Sequence, residues 1–153
     1  MRFSYFLSVG ILLFSGLLSA EVEVLSKPMT IEVYRSAGCG CCGKWLAHLK
    51  ANQFNVVDHV LENVDSVKKR YAVSAELASC HTALINGYVV EGHVPAADIK
   101  KLLAEKPKVL GISVPGMPMG TPGMEMGSNA DAYEVLSFDQ DQKTQVFNHY
   151  EAK

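Results

Sequence analysis

Three cysteines fall within four residues, Cys39-Gly40-Cys41-Cys42, between a run of β-formers and the start of a helical pattern. Thr30-Ile31-Glu32-Val33-Tyr34 alternates and reads as a strand. Ser36 to Gly43 is a small-residue turn. From Lys44 a helix is expected, with Trp45, Leu46, Leu49 and Phe54 on its buried side. Adjacent Cys41 and Cys42 are too close to bridge without strain, and at most one bond to the distant Cys80 could staple the fold. Structural disulfides remain the ordinary use of an even cysteine set in an oxidising compartment. The crowding points instead to chemistry. A strand-turn-helix unit places these thiols at a helix N-terminus, where unpaired N–H groups and the dipole favour thiolate over thiol.

The first residues suggest which compartment that is. Arg2, an uncharged apolar run from Phe3 to Leu18 and Ser19-Ala20 before Glu21 have the layout of a secretory signal peptide, residues 1–20. Leu18 is larger than the residue usually found there, and the run comes near the ~18 residues at which a membrane span begins. The alternative is therefore an uncleaved anchor. Cleavage leaves about 130 residues, one ordinary domain, written here as an N-terminal extension, 21–29, and a domain, 30–153. The formal charge of −2 lies in no basic block, which gives no footprint for nucleic acid. No later apolar stretch reaches spanning length, so no stable membrane insertion is expected after cleavage.

Asn55 to Leu61 reads as a second strand and Ser66 to Ala78 as a weak helix contacting the core through Val67, Tyr71 and Leu77. Asn86-Gly87 between Thr82–Ile85 and Tyr88–Glu91 suits a type I′ hairpin, whose two central residues need positive φ. Pro95 fits the first turn of a helix over Ala96 to Glu105 with Ile99, Leu102 and Leu103 inward, and Pro107 ends it. Val114 to Gly127 is a Gly/Pro/Met-rich loop without periodicity. Tyr133–Phe138 and Thr144–Tyr150 form a closing hairpin, 132–150. The order β-α-β-α-β-β-α implies two layers around one sheet.

With that context, Cys39 and Cys42 form a C-x-x-C pair, and the chain resembles thioredoxin-fold proteins. The expected fold class is α/β, a thioredoxin-like two-layer fold with a mixed sheet, plus the Met-rich loop (114–127) and the C-terminal β-hairpin. In that fold a proline-containing loop lies against the C-x-x-C. Here Cys80-His81-Thr82 falls at that place, with His81 where the proline would be. The departure counts against ordinary disulfide exchange with protein substrates, and it brings a fourth sulfur towards the other three.

A closer resemblance rests on four segments: Ser36-Ala37-Gly38-Cys39-Gly40-Cys41-Cys42, Ser79-Cys80-His81-Thr82-Ala83, Gly87-Tyr88-Val89-Val90-Glu91-Gly92-His93-Val94-Pro95 and Pro115-Gly116-Met117-Pro118-Met119-Gly120. Together they are similar to the CopG-like periplasmic copper-resistance family. The resemblance implies a periplasmic protein that binds copper through Cys39, Cys41, Cys42 and Cys80, with redox chemistry between copper and the thiols. Its expected partners are copper ions and periplasmic copper efflux or resistance proteins.

The residue chemistry supports part of this. Thiolates and thioethers select Cu(I), and thiolates also bind zinc. Structural zinc usually takes two separated cysteine pairs, and three cysteines on one tight turn suit bridging thiolates shared among several Cu(I) ions better. Cys39 and Cys42 are the candidate redox pair. The candidate metal ligands are the four cysteines, His81 and the four loop methionines Met117, Met119, Met124 and Met126. Methionine also serves as a flexible gap-filler, so these four can equally be a cover. His93 is read as a helix cap, His48 as a surface residue, Trp45 as core, and Asp98 with Lys100-Lys101 as a solvated helix face. His59 and His149 fall in strands without a mechanism. Two other readings remain open: a metal-free thiol-disulfide oxidoreductase and a passive copper carrier feeding an efflux system.

Overall fold

The computed structural model describes residues 28–153, so the expected signal peptide and most of the N-terminal extension lie outside the described residues. The elements in chain order are β1 (Met29–Ser36), α1 (Gly40–Ala51), β2 (Phe54–Leu61), α2 (Asp65–Arg70), β3 (His81–Ile85), β4 (Tyr88–Glu91), α3 (Ala96–Glu105), β5 (Gly111–Ser113), β6 (Tyr133–Phe138) and β7 (Thr144–Tyr150). The seven strands make one mixed sheet in the order β2-β1-β3-β4-β5-β6-β7. β1 runs parallel to β2, β4 parallel to β5, and the remaining pairs are antiparallel. The α/β class, the mixed sheet and the closing hairpin are as expected from the sequence.

Side-chain alternation divides the interior into two parts. Ile31 and Val33 of β1, Ala83 and Ile85 of β3, Val90 of β4 and Ile112 of β5 pack with Trp45, Leu46 and Leu49 of α1 and Ile99 and Leu102 of α3. The intervening residues Leu84 and Val89 turn to the other face, where Leu77, Phe138, Tyr71 and Leu136 cover them. Two helices therefore lie on one face. The other is closed by the end of α2 and the irregular segment after it.

Four expectations are corrected here. The first helix begins at Gly40, not Lys44, because the buried positions Cys42, Trp45, Leu46 and Leu49 continue one stripe back into the cysteine turn. Phe54 is buried, but it opens β2. The weak second helix is only Asp65–Arg70; Ala72, at φ 53°, cannot continue it, and Leu77 reaches the core from a turn. Asp98 is buried, accepting hydrogen bonds from Asn148 Nδ2 at 2.8 Å and Tyr150 Oη at 2.7 Å. It ties α3 to β7, while Lys101 on the same helix stays exposed with its ammonium over the Phe147 ring. The short β5 carries no pattern of its own and forms through its register with β4 and β6.

The hairpin at Asn86-Gly87 has positive φ at both residues, 47° and 85°. Pro95 occupies the N-cap of α3, and Lys106 in the left-handed region closes the helix before Pro107.

Candidate metal centre

Two loops from the same end of the antiparallel β1–β3 pairing, where Arg35 lies opposite His81, meet at the site. β1 delivers Cys39 to the N-cap of α1, with Cys41 and Cys42 in the first helical turn. Cys42 belongs to the buried stripe and is fully enclosed, whereas Cys41 is half-buried. The loop before β3 delivers Cys80, also half-buried. The four sulfurs lie within 4.8 Å of one another. Cys39 and Cys42 form a disulfide across a Cα separation of 5.4 Å, while Cys41 and Cys80 are free thiols. Cys41 Sγ is 3.6 Å from Cys39 Sγ.

Cys80 has a second set of neighbours. Its sulfur lies 3.2 Å from His81 Nδ1 and 3.0 Å from His93 Nε2. Burial pushes the thiol up to about 11, Ser79 working against that shift and Cys41 adding to it. His93 does not cap the helix as the sequence suggested. That contact belongs to His48, whose Nε2 accepts the Ala96 N–H at 3.1 Å, so His48 is half-buried between α1 and α3. His93 instead faces the site, with Nδ1 2.7 Å from the Pro122 carbonyl oxygen. Trp45 donates its indole N–H to Val94 O at 2.9 Å and lies against the His81 ring. Helix α1 thus holds the segment after β4 at two points.

A buried carboxylate holds the Cys80 loop. Glu91, at the end of β4, accepts the Ser79 N–H at 2.7 Å and the Thr82 hydroxyl at 2.7 Å, and pairs with Lys68 of α2. Ser79 Oγ donates to Gly116 O, and the Gly116 N–H donates to Ala78 O. Gly92, at φ +74°, brings β4 so close that a Cβ there would sit 2.6 Å from Ser79 Cβ and from Val114 O. Nothing local in the sequence marks Lys68 or Glu91 as site residues. A polar residue at a core position of a buried strand is the only available signal.

The Met-rich loop is fastened at both sides of the sulfur group, through Gly116 to the Cys80 loop and through Gly123 to α1. A Cβ on Gly123 would lie 2.8 Å from Trp45 N and 3.0 Å from Cys41 O. Met117 and Met126 are 56% and 71% exposed, so the loop presents them to solvent, while Met119 and Met124 are half-buried.

Three histidines near the site are held below their ordinary pKa, each mainly by burial. These are His48, His81, which His93 and Lys68 lower further, and His93, which Pro122 partly counteracts. As pH falls through the ordinary value of about 6.5, the unfolded chain takes up these protons before the folded one does. The stabilisation from neutral imidazoles is thus complete above about pH 6.5 and is lost below it. Each such histidine costs about 1.4 kcal/mol per pH unit until its folded value is reached. Urea midpoints of the metal-free protein should fall between about pH 7.5 and about pH 5.5. A flat profile would mean these rings are not buried as neutral groups.

The donor set is soft sulfur with two imidazoles beside it, which fits copper. A family profile described as a protein of unknown function, DUF411, matches residues 77–124, the stretch that holds Cys80, Glu91, His93 and most of the Met-rich loop. No curated protein matches the chain. Two solved structures do, both described as the copper resistance protein CopG. Form 2 is 49% identical with a TM-score of 0.77, over 80% of this chain and 98% of that one. Form 1 is likewise 49% identical with a TM-score of 0.77, over 81% and 98%. At that identity and coverage, the chain belongs to the CopG-like copper-resistance family.

Proposed function

We propose that this is a periplasmic copper-handling protein that binds Cu(I) through Cys39, Cys41, Cys42 and Cys80 and couples binding to the Cys39–Cys42 dithiol. The observation that carries the reading is the convergence of four sulfurs, two of them already joined as a disulfide. In the reduced chain, thiolates on one tight turn with a fourth opposite suit bridging between Cu(I) ions. Closing the Cys39–Cys42 bond releases two electrons and two protons, enough to reduce two Cu(II) to Cu(I). That favours a redox role over passive carriage, since a carrier has no use for a disulfide at its own ligands. His81 in place of the thioredoxin-fold proline disfavours a groove for peptide disulfides. Met119 and Met124 serve as a sulfur-bearing cover, and Met117 and Met126 face arriving copper or an efflux partner.

The test is an anaerobic titration of the reduced exported chain with Cu(I) against a competing chelator. More than one tightly held Cu(I) per chain is expected. Adding Cu(II) to the reduced chain instead should consume two thiols for every two ions reduced. Failure to compete, with all four thiols left free, would remove copper as the ligand and leave the metal-free oxidoreductase.

A further inference from the structure

The strand β2 stands at one end of the sheet, and among the described residues no strand pairs with its outer side. Such an edge offers a row of unpaired N–H and C=O groups, and soluble proteins protect it with lysine, proline, a bulge or a very short strand. β2 has none of these. Phe54-Asn55-Val56-Val57-Asp58-His59-Val60-Leu61 keeps an unbroken register with β1 over all eight residues. Its one acidic side chain, Asp58, is held by Arg35 through contacts of 2.9 Å and 2.7 Å, so it does not guard the edge with a free charge. His59 stacks on Tyr34. Val57 and Val60 are 38% and 50% exposed, two of the five large apolar side chains that the described residues leave in solvent. The opposite edge differs. There β7 joins β6 through an irregular register between Val135 and Leu136, and its exposed Val146 is flanked by Thr144, Gln145 and His149, all in solvent.

We propose that two copies of this chain form a two-fold dimer through β2, pairing β2 with β2 antiparallel into one sheet with seven strands from each copy. Directly opposed residues of such a pair point to the same face, and faces alternate along a strand. Odd-numbered residues of β2 can therefore meet only odd-numbered ones. Two registers keep the longest overlap, one with Val57 on the two-fold axis and one with Asp58 there. The second sets two carboxylates against each other, so charge selects the first. Val57 then meets Val57 of the second copy, Val60 meets Phe54, Asn55 meets His59 and Asp58 meets Val56. The strand is its own complement: apolar groups meet at the centre and both ends, an amide faces an imidazole, and no like charges are directly opposed. Pairing β2 with β7 instead would be head-to-tail and would continue from copy to copy. The overlap from Phe54 to Val60 spans about 23 Å. It buries less than the roughly 1,200 Å² of a standard interface, so the dimer is weak, with a Kd on the order of 10 to 100 µM. Ser36 lies opposite Leu61, which puts the cysteine turn beyond the Leu61 end of β2. The two-fold therefore sends the two cysteine groups to opposite ends of the shared sheet, and both stay open.

Sedimentation equilibrium of the exported chain, run from about tenfold below to about tenfold above that range, should show a monomer passing to a dimer and nothing larger. Hydrogen exchange at the β2 amides should slow as concentration rises, while the β7 amides are unaffected. Val57→Lys and, separately, Val57→Glu set like charges on the axis and should each weaken association at least tenfold. An equal mixture of the two variants should associate again, because lysine then faces glutamate. Urea midpoints check that each variant has folded. Cu(I) binding by the reduced chain should be the same in parent and variants, so the dimer and the copper site stand or fall separately. A parent chain that stays monomeric throughout would overturn the proposal and leave β2 to a strand of another protein or to water. Association that persists in both variants, or that slows exchange at β7 and not at β2, would place the contact elsewhere and overturn it as well. So would a mixture that stays monomeric, since only this two-fold register sets position 57 against itself.

Discussion

Replacing Cys80 with serine is expected to lower the Cu(I) stoichiometry of the reduced protein and weaken the remaining binding more than a hundredfold. Altering a group that merely supports a ligand typically costs ten- to a hundredfold in metal affinity, and removing a ligand exceeds that. Cys80 is the informative position because the fold does not depend on its sulfur. It is half-buried, takes no part in the disulfide and sits in a loop fixed by other groups. Serine keeps the shape and a hydroxyl donor for His93, so the stability change should stay within about 1 kcal/mol. Cys42→Ser cannot serve this purpose, because Cys42 is fully buried on the core stripe of α1 and a lost site would be confounded with a damaged core. If Cys80→Ser folds and binds as many Cu(I) ions as tightly as before, the four-cysteine site is wrong and the metal belongs to the Cys39–Cys42 turn alone.

Features written in local chemistry were legible in the sequence. Asn86-Gly87 specifies its own turn, and the strand before Cys39 with the apolar stripe after it specifies a helix N-terminus. The error at the start of α1 came from treating Gly40 and Gly43 as turn residues; burial of Cys42 beside Trp45 overrides their weak propensity. His93 was hidden for another reason. Its role depends on Pro122, 29 residues away, which sets the tautomer, and on Cys80, which β3–β4 pairing brings alongside. Asp98 looked solvated because its partners lie on β7, fifty residues on. The Met-rich loop has no periodicity to read, since backbone contacts and close approaches at Gly116 and Gly123 hold it.

Lys68→Met is expected to destabilise the protein by about 3–5 kcal/mol, the usual cost of stranding one member of a buried ion pair. Glu91 is fully enclosed and Lys68 nearly so, and their contact is 2.5 Å. Burial raises the Glu91 pKa, and Lys68 is foremost among the groups that oppose the rise. Removing the ammonium therefore lets the folded state hold a proton that the unfolded state gives up. Between the ordinary carboxyl pKa and this raised value the native form binds more protons, so stability declines as pH rises. The deficit of Lys68→Met should accordingly be greatest near neutral pH and shrink as the solution is acidified. A simple loss of packing would leave the deficit constant. Lys68→Met combined with Glu91→Gln should recover much of the loss, because an amide oxygen can still accept the Ser79 N–H and no charge is left unpaired. The same carboxylate fixes the backbone beside Cys80, which links stability to the site. In Lys68→Met at neutral pH the Cys80 loop should open more often, and Cys80 should alkylate faster than Cys41 relative to the parent protein. If stability falls but the ratio of Cys80 to Cys41 alkylation stays the same, the pair supports the sheet and not the thiol. If the ratio rises and returns in the double variant, the buried pair sets the position from which Cys80 meets the other sulfurs.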